Sequence, residues 1–91
     1  MNINLPAVPL SELMPGQGGS VYAVVGPGKA VQLRLIALGL RPGAKVRVLG
    51  RGPGRGPLLV EVNGTRVALG RGLAKRVLVI PAPEEKPMKG E

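Results

Sequence analysis

The chain has no cysteine, histidine, aspartate, tryptophan or phenylalanine, and Tyr22 is its single aromatic residue. Without Cys or His it has no thiolate nucleophile, no imidazole base and no soft-ligand metal site. Carboxylates are scarce as well. Of the Glu residues, Glu84, Glu85 and Glu91 fall at the C-terminal end, and only Glu12 and Glu61 lie elsewhere. Two Glu far apart in sequence form no local acid–base constellation to perturb a pKa. One tyrosine cannot build the base-stacking platforms of single-strand nucleic-acid binders. These absences point to a binding module without cofactor, metal ligands or catalytic groups.

The missing cysteines argue against a disulfide-stapled secreted domain, and the opening MNINLPAVPL has neither the basic nor the long apolar region of a signal peptide. The longest uncharged stretch, Leu13 to Gly28, is broken by Gly and Pro and does not read as a membrane span. A cytoplasmic protein is expected, in solution or peripheral at the inner face of the membrane.

What is present is glycine, proline and positive charge. The 91 residues suit one domain with one core. They include 15 Gly and 10 Pro, yet 44% are apolar, and Gly and Pro fall mostly between the Val- and Leu-rich runs. That is turn punctuation in a small all-β domain. Residues 1–9 read as an arm that is either flexible or packed on a sheet edge, through which weak self-association could occur. Residues 81–91 read as a disordered Pro/Glu/Lys tail, which leaves 10–80 as the folded domain.

Within that domain, Gly18 to Val25 alternates and reads as the first strand, with Val21, Ala23 and Val25 on one face and Tyr22 and Val24 on the other. Helical spacing occurs only in VQLRLIALGL, where Val31, Leu35 and Leu38 share a face beside Ile36. Gly39 suits the left-handed position after a helix, and Leu40 is the apolar residue that follows it. Arg41-Pro42-Gly43-Ala44 has Pro and Gly at the central positions of a type II turn.

Lys45 to Leu49 alternates again, with Val46 and Val48 inward. GRGPGRGP, from Gly50 to Pro57, reads as a flexible hairpin loop. The sharper reading is a phosphate cradle around Arg51 and Arg55, but the GK[ST] ending and the following helix of a P-loop are missing. Asn63-Gly64 is a strong two-residue hairpin signal between Leu58–Val62 and Thr65–Leu69. Its register would pair Val60 with Val67 and Leu58 with Leu69 on the apolar face, and Glu61 with Arg66 as an opposite-charge pair. Gly70 to Ala74 is a connector with helical character. Arg76 to Ile80 is the last strand before Pro81. Five short strands and one short helix predict a small closed or partly closed barrel.

Three ordered motifs carry a family resemblance. L-x-x-L-x-P-G spans Leu10 to Gly16, and R-L-x-x-L-G-L-x-P-G stands as Arg34, Leu35, Leu38, Gly39, Leu40, Pro42 and Gly43. A Val-rich hairpin ending Ala68-Leu69 is the third. Over about Leu10 to Ile80 the chain resembles the FeoA family, and the middle motif is the specific one. The resemblance implies a five-stranded SH3-like β-barrel that serves bacterial ferrous iron uptake as a cytosolic accessory protein. It also implies a partner, the cytosolic GTP-binding domain of a FeoB-type transporter. Three features depart from the family pattern: extra N-terminal residues, Gly72 in the connector, and only scattered Glu as oxygen ligands.

The partner-binding candidates are Gln32, Arg34 and Arg41 on and after the helix, then Arg51 and Arg55 in the loop. Leu35, Leu38, Gly39, Leu40, Pro42, Gly43, Asn63 and Gly64 are expected to act through the fold. The alternative function is non-specific nucleic-acid binding, suggested by the formal charge of +8. Against a stable nucleic-acid partner, Lys45, Arg47, Arg66 and Arg76 sit on different strands without interleaved aromatics.

Overall fold

Prolines and positive-φ glycines fix where each strand stops, and the apolar runs between them form one antiparallel sheet. The computed structural model describes residues 6–54 and 56–83. The strands are β1 (Val8–Pro9), β2 (Gly18–Val24), β3 (Lys45–Arg51), β4 (Leu58–Val62), β5 (Thr65–Leu69) and β6 (Val77–Pro81). A 3-10 turn covers Leu10–Glu12, and two helices, α1 (Lys29–Ala37) and α2 (Arg71–Ala74), follow β2 and β5. The sheet order is β1-β6-β2-β3-β4-β5, antiparallel throughout.

One expectation about the architecture changes, and one alternative left open by the sequence is decided. The sheet has six strands, because Val8 and Pro9, placed in the arm, pair with Val79 and Leu78 of β6. Pro9 fits there because an edge strand leaves one side of its backbone free of ladder bonds. The sheet is also not a closed barrel: β1 and β5 end the strand order and do not pair with each other. The fold remains small, SH3-like and mostly antiparallel β. Pro81 is the last residue of β6, opposite Gly19, and does not precede the end of the strand. The rest of the arm, residues 1–5, and the tail from residue 84 lie outside the described residues.

The core is aliphatic. Leu10, Leu35, Leu40, Val48, Leu58, Val60, Val77 and Val79 are fully buried, joined by Val21, Val46, Val62 and Leu69. The β4–β5 hairpin takes the expected register, with Val60 opposite Val67, Leu58 opposite Leu69 and Glu61 opposite Arg66. Asn63 and Gly64 have φ of 51° and 85°, the left-handed pair that a two-residue turn between right-twisted strands demands.

Two β-bulges break the alternation. In β2 the pairing passes from Val21↔Val79 to Ala23↔Leu78, leaving Tyr22 as the extra residue. Beyond it the faces exchange, so Val24 packs on the core while Val25 is exposed, the reverse of the simple alternation. In β3 the pairing passes from Val48↔Val60 to Gly50↔Leu59, so Arg51 lies opposite the buried Leu58, on the core side of the sheet.

Candidate partner-binding surface

Helix α1 begins at Gly28 (φ 101°), which offers no side-chain cap. Its start is fastened by two other residues: Gln32 Nε2 donates to the Gly26 carbonyl at 3.3 Å, and Arg76 Nη1 donates to the Pro27 carbonyl at 2.7 Å. A Cβ on Gly26 would lie 3.2 Å from the Arg76 side chain, so the guanidinium stem fills the space over that turn.

The helix ends in a Schellman motif: Leu40 N–H donates to Leu35 O and Gly39 N–H to Ile36 O, both at 2.9 Å, with Gly39 at φ 98°. Leu40 is buried, as the motif's apolar partner should be. The next turn closes by Ala44 N–H to Arg41 O at 2.9 Å with Gly43 at φ 92°, the type II form.

Only one line of α1 faces inward. Leu35 is fully buried and Val31 is partly buried against the core. Leu38, expected on the same face, is 37% exposed. It serves as the helix cap, its N–H bonded to Arg34 O, and Leu40 takes the core position instead. Ile36 and Leu33 are 38% and 59% exposed, so the outer face of α1 is apolar.

The five candidates divide. Arg34 and Arg41 are exposed, one on α1 and one at the turn. Gln32 spends its amide on the Gly26 carbonyl. Arg51 is a structural tie: its Nη2 donates to the carbonyls of Ser11, at 3.0 Å, and Leu13. The bulge in β3 turns its side chain towards the 3-10 turn, so it ties that turn to the end of β3. Arg55 lies outside the described residues. Two backbone donors of the Gly-rich loop are already engaged. Gly52 N–H donates to Pro57 O and Gly56 N–H to Pro53 O, consuming backbone donors that an oxyanion would need.

The basic strand residues are less scattered than their strands suggest. Arg47, Glu61 and Arg66 stand in one row across β3, β4 and β5, with Lys45 two residues from Arg47 on the same outer face. Glu61 and Arg66 face each other in register without an ion pair within 4.0 Å. An open groove beside this row is lined by Gln17, Lys45, Arg47, Asn63 and Pro81, among others. Arg76 is elsewhere, tied to Pro27.

Sequence reasoning missed Arg76, because its partner is a backbone carbonyl in a turn far away in sequence. It also missed Leu33 and Ile36, which read as core wherever a helix is assumed to be enclosed. Among the described residues, no three His, Cys, Asp or Glu side chains come together and no helix is long and apolar enough to cross a membrane.

The fold defines a small SH3-like module: an aliphatic sheet presenting a short helix, a tight turn and cations. The chain belongs to the FeoA domain family, whose model matches residues 8–81. A crystal structure of an iron uptake regulatory protein (FeoA) is 43% identical with a TM-score of 0.77, covering 85% of this chain and 100% of that one. The zinc complex of Stenotrophomonas maltophilia FeoA is 42% identical with a TM-score of 0.67, covering 77% and 86%. A protein of Methanocaldococcus jannaschii provisionally named Fe(2+) transport protein A is 33% identical over 52 residues, 57% of this chain and 61% of that protein.

Proposed function

We propose that this protein is a cytosolic accessory factor of ferrous iron uptake, acting without catalysis or cofactor by docking on the cytosolic GTP-binding domain of a FeoB-type membrane transporter. The observation that carries the reading is the FeoA domain match across residues 8–81. The S. maltophilia relative is described as a procaryotic SH3 domain protein and advanced as an activating factor for ferrous iron transport. The described surface supports the reading by offering cations and an exposed helix. Arg34 and Arg41 are the charged contacts in this reading, on a body whose residues 10–80 carry eleven Lys and Arg against Glu12 and Glu61. Such a field steers association with an acidic protein face.

The test is genetic. Deleting the gene should lower uptake of labelled ferrous iron, and expression of the full chain should restore it. Undiminished uptake in the deletion strain would refute the proposal.

A further inference from the structure

Resting on the functional reading above, we infer that the outer face of α1, centred on Leu33 and Ile36 and bordered by Lys29, Arg34 and Arg41, is the docking surface. Its occupant is a protein face that offers an apolar pocket edged with carboxylates.

At about 100° per residue, the Val31 and Leu35 side chains point to the sheet, and Leu33 projects from nearly the opposite side, with Ile36 one turn along. Leu33 is more exposed than any other leucine or isoleucine among the described residues. A nine-residue helix that buries only Leu35 completely has aliphatic groups in water on the side away from its core. Neighbouring exposed aliphatic side chains rimmed by polar residues mark interaction sites on protein surfaces. Here the element is rigid at both ends, tied by Arg76 and Gln32 at its start and by the Schellman motif at its finish.

Charge selects the occupant. No acidic residue occurs between Glu12 and Glu61, a stretch that contains Lys29, Arg34, Arg41, Lys45, Arg47, Arg51 and Arg55. Of these, Lys29 and Arg34 stand on α1 and Arg41 on the turn after it, so the apolar strip is edged by cations with no carboxylate on its own helix or turn. A second copy of this chain would bring like charge to like charge. A phosphate backbone would match the cations but leave Leu33 and Ile36 without apolar partners. A bilayer is also a poorer fit. Interfacial helices present a broad apolar face that often includes Trp or Phe, whereas α1 has neither and commits its other face to the core. An acidic protein surface with a small apolar pocket answers both features together.

The experiment titrates the full chain into the purified GTP-binding domain of the cognate transporter by calorimetry at two salt concentrations. Leu33→Asp should weaken binding at least tenfold while leaving the urea unfolding midpoint unchanged, and Leu33→Met should restore most of the affinity. Arg34→Gln with Arg41→Gln should weaken binding several-fold and flatten its salt dependence. Leu59→Thr, at an exposed leucine on β4, should bind like the parent chain.

If the parent chain binds and Leu33→Asp binds equally well, the docking surface is refuted while the functional reading stands. If the parent chain does not bind, both fall. Leu33-dependent binding to phosphatidylglycerol vesicles, or a Leu33-dependent dimer by light scattering, with G-domain affinity unaffected by Leu33→Asp, would overturn the choice of occupant.

Discussion

Replacing Arg51 with Met separates a structural arginine from a partner-binding one. The side chain donates from Nη2 to the carbonyls of Ser11 and Leu13, on either side of Glu12, and so clamps the 3-10 turn to the end of β3. Hydrogen bonds from a charged donor contribute about 1.5–3 kcal/mol each. The site is only partly buried, which places each near the lower end of that range, or about 3 kcal/mol for the pair. The turn would not detach, because Leu10 and Leu13 are buried beneath it and each contributes about 1.5–3 kcal/mol by burial.

Arg51→Met should therefore lower stability by about 3 kcal/mol, a large share of the roughly 5–14 kcal/mol expected for a domain of this length. Urea unfolding followed by circular dichroism should show the midpoint falling by about 1–3 M with an unchanged slope. The melting temperature should fall by on the order of 10–20 °C. Affinity for the GTP-binding domain, measured where the variant is still folded, should stay within twofold of the parent. A variant as stable as the parent to within about 0.5 kcal/mol, but weakened in binding, would refute the reasoning and return Arg51 to the interface.

Two leucines in one motif should behave differently: Leu35→Ala should cost about 2–5 kcal/mol in chemical denaturation, and the half-exposed Leu38→Ala about 1 kcal/mol. Gly39→Ala should cost about 1–2 kcal/mol, because φ of 98° is unfavourable for any residue with a Cβ; its new methyl would also press on Val62 Cγ1 at 3.2 Å. Gly19→Ala should be worse than Gly39→Ala, since its Cβ would collide with the Ile80 carbonyl and force β2 and β6 apart; loss of soluble expression or of a cooperative melt is the expected result.

Where the chain could be read correctly, the determinant was local. Asn63-Gly64 set the hairpin register by turn chemistry, and Gly39 with Leu40 set the end of α1 by the Schellman geometry. The misread strand faces share one physical cause. A period-2 pattern carries the correct faces only until a bulge inserts one residue, and no residue type at Tyr22 or Leu49 announces one. After the first bulge Val24 and Val25 exchange roles, and after the second Arg51 turns from solvent to the core side of the sheet.

Long-range ties were equally hidden: Arg76 reaches a carbonyl of Pro27, and the pair of residues Val8 and Pro9 finds the edge of β6. The surface row of Arg47, Glu61 and Arg66 arises from strand adjacency, which the hairpin revealed only for Glu61 and Arg66. Leu33 was invisible as a surface residue because α1 has apolar side chains on both its inner and its outer side.

The central claim is that this basic SH3-like module engages the GTP-binding domain of a ferrous iron transporter. Isothermal titration of the full chain into that domain, in the nucleotide-bound and nucleotide-free states and across ionic strength, tests it most directly. Saturable one-to-one binding that weakens as salt rises is the expected result. The absence of binding at low ionic strength in every nucleotide state would contradict it.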